Sequence, residues 1–123
     1  MDLNHGSLEN LIMNVIWDNS DTFEGLMSVN QVWECLNSLN TRKKWAYTTV
    51  KTVLDRLYDK GLVDKIKFGK KYNYRSIMSR REMAEKALKK VALEYFSDDI
   101  FAMARFVKEL EYTEEKNLVH VYR

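Results

Sequence analysis

Trp45-Ala46-Tyr47-Thr48-Thr49-Val50-Lys51-Thr52-Val53-Leu54-Asp55-Arg56-Leu57-Tyr58-Asp59-Lys60-Gly61-Leu62-Val63 is the stretch that decides the fold. Ala46, Val50, Val53, Leu54 and Leu57 recur at helical spacing, so residues 46–60 read as a helix with one buried stripe and with Tyr47 and Tyr58 at its edge. Gly61 stands where a left-handed C-cap would end that helix. At about 100° per residue, an inward Val50 turns Thr48, Lys51, Thr52 and Asp55 outward, with Thr49 and Arg56 flanking them. A threonine hydroxyl can bond a phosphate or a base edge while its methyl packs on a thymine methyl, and Lys51 can reach a phosphate or a guanine edge. Asp55 and Asp59 would repel a phosphate backbone, which confines any groove contact to the first half of the helix.

Two helices are expected before this one. Leu8, Leu11, Ile12, Val15 and Ile16 keep helical spacing behind Ser7, a candidate N-cap, and the run should stop near Asp18-Asn19-Ser20-Asp21. Ser28-Val29-Asn30-Gln31 reads as a capping box, and Val32, Cys35, Leu36 and Leu39 place a second helix from there to about Ser38. Cys35 on that face reads as packing, since no second cysteine exists to resolve a redox reaction. After Gly61 the period changes. Residues 62–67 and 72–77 partly alternate and carry aromatic and β-branched side chains, so they read as a β-hairpin with Phe68-Gly69-Lys70-Lys71 between the strands. Three helices and a hairpin are the order of a winged helix-turn-helix, in which the second and third helices form the reading pair.

The remainder is helical. Ser79-Arg80-Arg81-Glu82 is a second capping box and opens a long helix with two adjacent stripes: Met83, Ala87, Val91 and Tyr95, then Ala84, Leu88, Ala92 and Phe96. Ser97-Asp98-Asp99 can break it and cap a helix marked by Ile100, Phe101, Ala104, Val107 and Leu110. Thr113-Glu114-Glu115 can cap a short last helix through Leu118, Val119 and Tyr122. The expected fold class is mainly α with a small β-hairpin: a winged-helix DNA-binding domain over 1–77 and a helical dimerisation region over 78–123. So wide an apolar face suggests self-association through Met83, Ala87, Leu88, Val91, Tyr95, Phe96, Phe101 and Val107.

A net charge of +2 hides a strong segregation. Residues 1–40 hold six acids and no lysine or arginine, residues 41–90 hold sixteen bases against five acids, and residues 91–123 hold four bases against seven acids. A basic middle is the electrostatic footprint of a surface that meets a polyanion. Arg42, Lys43 and Lys44 precede the third helix, and Lys65, Lys67, Lys70 and Lys71 decorate the hairpin. One cysteine in 123 residues excludes an internal disulfide framework, and no stretch suggests a signal peptide or a membrane span. A cytoplasmic protein without membrane contact is expected. An enzyme is not: His5 and His120 fit no ligand or triad pattern, and no glycine loop could cradle a phosphate, so neither a catalytic residue, a metal nor a cofactor is expected.

The 45–57 segment followed by Lys60-Gly61-Leu62-Val63 resembles the signature of the penicillinase repressors, a family that includes the β-lactamase and methicillin-resistance repressors and the related copper-operon repressors. Leu8-Glu9, Ile12-Met13-Asn14-Val15-Ile16-Trp17, Gly69-Lys70-Lys71-Tyr72-Asn73-Tyr74 and Ser79-Arg80-Arg81-Glu82 extend the resemblance over about residues 7–96. It implies a homodimeric winged-helix repressor that binds an inverted repeat in duplex DNA. Thr48, Thr49, Lys51 and Thr52 would face the operator, and Lys70, Lys71 and Tyr72 would belong to the wing. The expected DNA-binding set is therefore Arg42, Lys43, Lys44, Tyr47, Thr48, Thr49, Lys51, Thr52, Lys67, Lys70, Lys71 and Tyr72. This chain lacks the cysteine motif of the copper-responsive members, and Ile77 stands where a proline often follows the wing. Where β-lactam-responsive members are cleaved at an Asn-Phe bond, the nearest match is Arg105-Phe106, which leaves a sensor-protease partner open. The same winged helix used on RNA or on a protein partner is the alternative, because a fold does not fix its ligand.

Overall fold

A computed structural model describes the backbone of residues 8–21, 23–39 and 43–121 and the side chains of 8–21, 24–39 and 43–115. Ser7, Arg42 and Tyr122, and the side chains of Leu118 and Val119, lie outside the described residues. The chain divides into two compact units, residues 1–82 and 83–123.

The first unit holds α1 (Leu8–Asp18), β1 (Met27–Ser28), α2 (Val29–Ser38), α3 (Tyr47–Asp59), β2 (Val63–Phe68) and β3 (Lys71–Ser76). Ile12, Met13 and Ile16 from α1, Val32 and Leu36 from α2, and Val50, Leu54 and Leu57 from α3 are fully buried in one core, closed by Val63 and Tyr74 of the sheet. Cys35 packs at its edge. The capping box at Ser28 is present in both directions: Ser28 Oγ accepts from Gln31 N at 3.1 Å, and Ser28 N donates to Gln31 Oε1 at 2.8 Å. Gly61, at φ +76°, ends α3. Its N–H donates to Tyr58 O at 2.9 Å and the next N–H, of Leu62, donates to Leu57 O at 3.0 Å, the two bonds of a Schellman cap.

The structure corrects the expected elements of this unit in four places. Ala46 is not part of the buried stripe. It is the exposed N-cap of α3 in an extended conformation, because the helix begins one residue later. Leu39 is likewise the extended C-cap of α2 and is exposed. The hairpin turn is tighter than its sequence suggests: Phe68 pairs with Lys71, leaving only Gly69 and Lys70 in the loop. Gly69 alone has a positive φ of 59° there, the pattern of a type II′ turn with glycine first. A third strand, β1, pairs antiparallel with β3 and makes a sheet of order β1-β3-β2.

α4 (Arg80–Tyr95) starts at the end of the first unit. Ser79 Oγ accepts from Glu82 N at 3.1 Å, as its capping box requires. Trp17 Nε1 donates to Met78 O at 3.0 Å, and Arg80 reaches Asp18 at 2.5 Å while lying over the Trp17 ring. The second unit pairs the rest of α4 with α5 (Ile100–Val121). Ser97 and Asp98 turn the chain with positive φ, and Asp99 Oδ1 accepts from the N–H groups of Phe101 and Ala102, both at 3.0 Å, to cap α5. The expected break at Thr113 does not occur. Its hydroxyl donates back to Glu109 O at 3.0 Å inside a continuous helix, since no glycine or proline interrupts residues 109–116.

Candidate nucleic-acid interface

The entry to α3 is fixed by α2. The Asn37 side-chain amide grips the Trp45 backbone from both sides: Oδ1 accepts from Trp45 N at 2.9 Å and Nδ2 donates to Trp45 O at 3.0 Å. Trp33 Nε1 donates to the same carbonyl at 2.9 Å, and its ring meets Tyr47 edge-on. With the turn held this way, α3 needs no capping side chain and has none. Lys44 donates to Asn37 O, and Lys43 lies over the Trp45 ring. Both lysines are exposed at the start of the helix.

Thr48, Thr49, Lys51 and Thr52 all lie on the exposed side of α3, opposite the buried Val50, Val53, Leu54 and Leu57. The Thr52 hydroxyl donates to Thr48 O at 2.9 Å, so its oxygen lone pairs face outward while its proton is held in the helix. An open cleft of about 150 Å³ runs beside this face, lined by Tyr47 and Lys51 of α3, by Lys70, Lys71, Tyr72 and Tyr74 of the hairpin, and by Ser28, Val29 and Asn30 at the start of α2. Three of the expected lysines thus meet two of the expected tyrosines around one concave surface. Lys67 joins them through the Tyr72 ring, at 5.6 Å.

The sequence reading missed the role of the acid that ties α3 to the hairpin beside this surface. Asp55 is no loose negative charge at the end of the reading face. Its Oδ1 accepts from Lys65 Nζ at 2.9 Å and from the Tyr74 hydroxyl at 2.8 Å, and its Oδ2 accepts from Lys51 Nζ at 3.0 Å. Burial pushes the carboxyl up, but the hydrogen bonds from Lys65, Tyr74 and Lys51 outweigh it and hold the group at about 2. The Tyr74 hydroxyl is pushed well above its ordinary range by burial and by its bond to the carboxylate, and hydrogen bonding to Asp55 raises Lys65. The stability Asp55 contributes is therefore complete above about pH 4, its unfolded range, and is lost as the pH falls towards 2. Thermal melts of wild type and Asp55→Asn should differ at pH 6 and converge at pH 2.

A second missed pair ties α1 to the end of α3. Glu9 is a buried carboxylate, and both its oxygens accept from Lys60 Nζ at 2.8 Å, with Arg56 Nη1 at 3.8 Å. A lone acid at the start of an apolar helix gave no sign of burial. Its only sequence signal was the base at position 60, 51 residues away.

Among the described side chains of the second unit only Ala92 and Met103 are buried, and the Phe96 and Phe106 rings pack 5.5 Å apart. Phe96 thus has an intrachain partner. Met83 is half-buried, and Ala87, Leu88, Val91, Tyr95, Phe101 and Val107 are all exposed, with about three quarters of Tyr95 and Phe101 open to solvent at 76% and 75%. Arg105-Phe106 lies in the interior of α5. No helix among the described residues is long and apolar enough to cross a membrane.

Three helices closed by a small antiparallel sheet, with a basic hairpin beside the open face of the third helix, define a winged helix-turn-helix protein. The sequence pattern of the penicillinase repressor family matches residues 5–122. The transcriptional regulator BlaI of Mycobacterium tuberculosis is 30% identical over 123 residues, covering 86% of this chain and 84% of that protein. The methicillin resistance regulatory protein MecI of Staphylococcus aureus is 30% identical over 78 residues, 63% of this chain and 57% of its own length. The chain belongs to the penicillinase repressor family, and so is a transcriptional repressor rather than an enzyme.

Proposed function

We propose that the protein is a homodimeric repressor that binds an inverted-repeat operator in duplex DNA, reading bases with the first half of α3 and holding phosphates with its wing. The observation that carries this reading is the single cleft shared by Lys51 of α3 and Lys70 and Lys71 of the hairpin, next to a face of α3 committed to no packing. Lysines around a concave surface suit phosphate oxygens, while the Thr48 and Thr52 side chains offer methyls and lone pairs of the right size for base edges. Tyr72 lies against two lysines, with Lys65 4.4 Å and Lys67 5.6 Å from its ring, and stiffens the wing that would follow the backbone. The exposed apolar side chains of α4 and α5 support pairing with a second copy, which would present two recognition helices to a two-fold operator. Such a protein works in the cytoplasm, beside its operator.

The test is a titration against an operator selected from random duplex DNA, with thermal melts to show that each variant is folded. Thr48→Ala and Thr52→Ala should each cost about 1–3 kcal/mol per half-site and relax preference at one base pair, with little change in non-specific binding because no charge is lost. Lys70→Ala with Lys71→Ala should weaken all sequences about equally and lower the salt slope by roughly one to two units per half-site. Folded threonine variants that bind as tightly as wild type would overturn base reading by this face. A preference for RNA over the selected duplex would favour the RNA alternative.

A further inference from the structure

We propose that Asp55 is a positioning residue that locks the wing to the recognition helix, so that operator discrimination depends on its carboxylate without that carboxylate contacting DNA. The inference rests on the reading of α3 and the wing as one DNA-binding surface.

The sheet register explains why the donors converge. Lys65 and Tyr74 are directly opposite each other on β2 and β3, so their side chains leave the same face of the sheet. Both end on Asp55 Oδ1, while Oδ2 takes Lys51 from the preceding turn of α3. One carboxylate therefore joins all three parts of the surface: the reading face, the first wing strand and the second. Tyr74 is fully buried, so its hydroxyl reports a fixed strand position rather than a mobile tip. Every short contact to Asp55 comes from a donor, and both lysines it holds would otherwise repel each other across the junction between helix and wing. With the acid in place, the Lys51 ammonium stands at a set distance from the hairpin, and a displacement of the wing has to break two charge-assisted bonds.

Removing the acid has two effects of opposite sign, which is what makes the lock measurable. Loss of a negative charge near the cleft strengthens attraction to any DNA. Loss of the lock weakens only the contacts that require helix and wing to be in register. For Asp55→Asn we expect non-specific duplex to bind at least as tightly as it does to wild type, while the ratio of selected to random sequence falls about tenfold, the equivalent of one charge-assisted hydrogen bond. Tyr74→Phe keeps the charge and the buried ring and deletes only the hydroxyl. It should leave the salt slope unchanged and lower the same ratio several-fold. Amide hydrogen exchange on the free full-length protein supplies a readout without DNA: in both variants the β2–β3 amides should speed up several-fold more than the α1 amides, whose rates follow only the change in global stability.

A folded Asp55→Asn or Tyr74→Phe protein that keeps the wild-type discrimination ratio would overturn the positioning role, as would unchanged exchange in the wing. A uniform rise in exchange across α1, α3 and the sheet would also overturn it, since that is loss of global stability. Failure of the underlying DNA reading is separable, because it shows in wild type alone as equal affinity for selected and random duplex; the exchange arm then still decides whether the lock exists.

Discussion

Leu88→Asp is expected to leave the protein monomeric where wild type forms the proposed dimer, and to weaken operator binding by two orders of magnitude or more, while the winged-helix unit stays folded. Leu88 is half exposed on α4 and belongs to no buried core among the described residues. The second unit buries only Ala92 and Met103 among its described side chains, so its apolar surface far exceeds what two helices can bury in each other. A carboxylate placed in that surface costs several kcal/mol once an apolar partner face covers it. The same carboxylate on a monomer sits in water at almost no cost. Two recognition helices on one operator multiply affinity by about 10²–10⁴ over one, and this is the factor that dissociation removes. Sedimentation velocity at micromolar concentration should show the dimer for wild type and the monomer for Leu88→Asp, and an operator titration should show the lost affinity. A wild-type chain that stays monomeric at high concentration would remove the basis for two-fold recognition.

The parts of this protein that could be read from sequence are those fixed by neighbours a few residues away. The α3 stripe from Val50 to Leu57, its end at Gly61 and both capping boxes depend on spacings of one to four residues, and all four were legible, Ala46 alone being misplaced in the stripe. The break between α4 and α5 was legible for the same reason, since Asp99 caps amides two and three residues on. β1 escaped because two residues show no alternation and because Ser28 also serves as the α2 N-cap. The Thr113 signal failed through competition: a threonine hydroxyl can cap a new helix or bond back into the old one, and nothing nearby stops the helix. The candidate surface divides along the same line. The lysines and threonines could be placed by the helical wheel and by charge. The function of Asp55 could not, because it depends on which residues of two strands face each other, and a slip of one residue would turn Lys65 and Tyr74 to the other side of the sheet.

The Glu9–Lys60 pair leads to the largest expected loss of stability, and the loss should be asymmetric. Lys60→Met leaves Glu9, with only 3% of its side chain exposed, as a buried carboxylate whose nearest base is the largely exposed Arg56 at 3.8 Å. Uncompensated buried charge costs about 3–5 kcal/mol, and Arg56 should bring this variant to the lower end of that range. A unit of this size loses several degrees of melting temperature per kcal/mol, so the midpoint should fall by about 10 °C or more. Glu9→Gln removes the acid instead. The remaining Lys60 ammonium, 18% exposed, can turn towards water and still donate to the amide oxygen, so this variant should lose less than half as much. Combining the two substitutions removes both charges, and the double variant should be more stable than Lys60→Met alone, because the penalty lies in the unpaired acid rather than in the missing bridge. Urea denaturation at neutral pH, run on all four proteins as a cycle, checks the order. Equal losses for the two single variants, or a double variant no better than Lys60→Met, would show that the pair is screened by solvent and that α1 and α3 are held together by Ile12, Ile16, Leu54 and Leu57 alone.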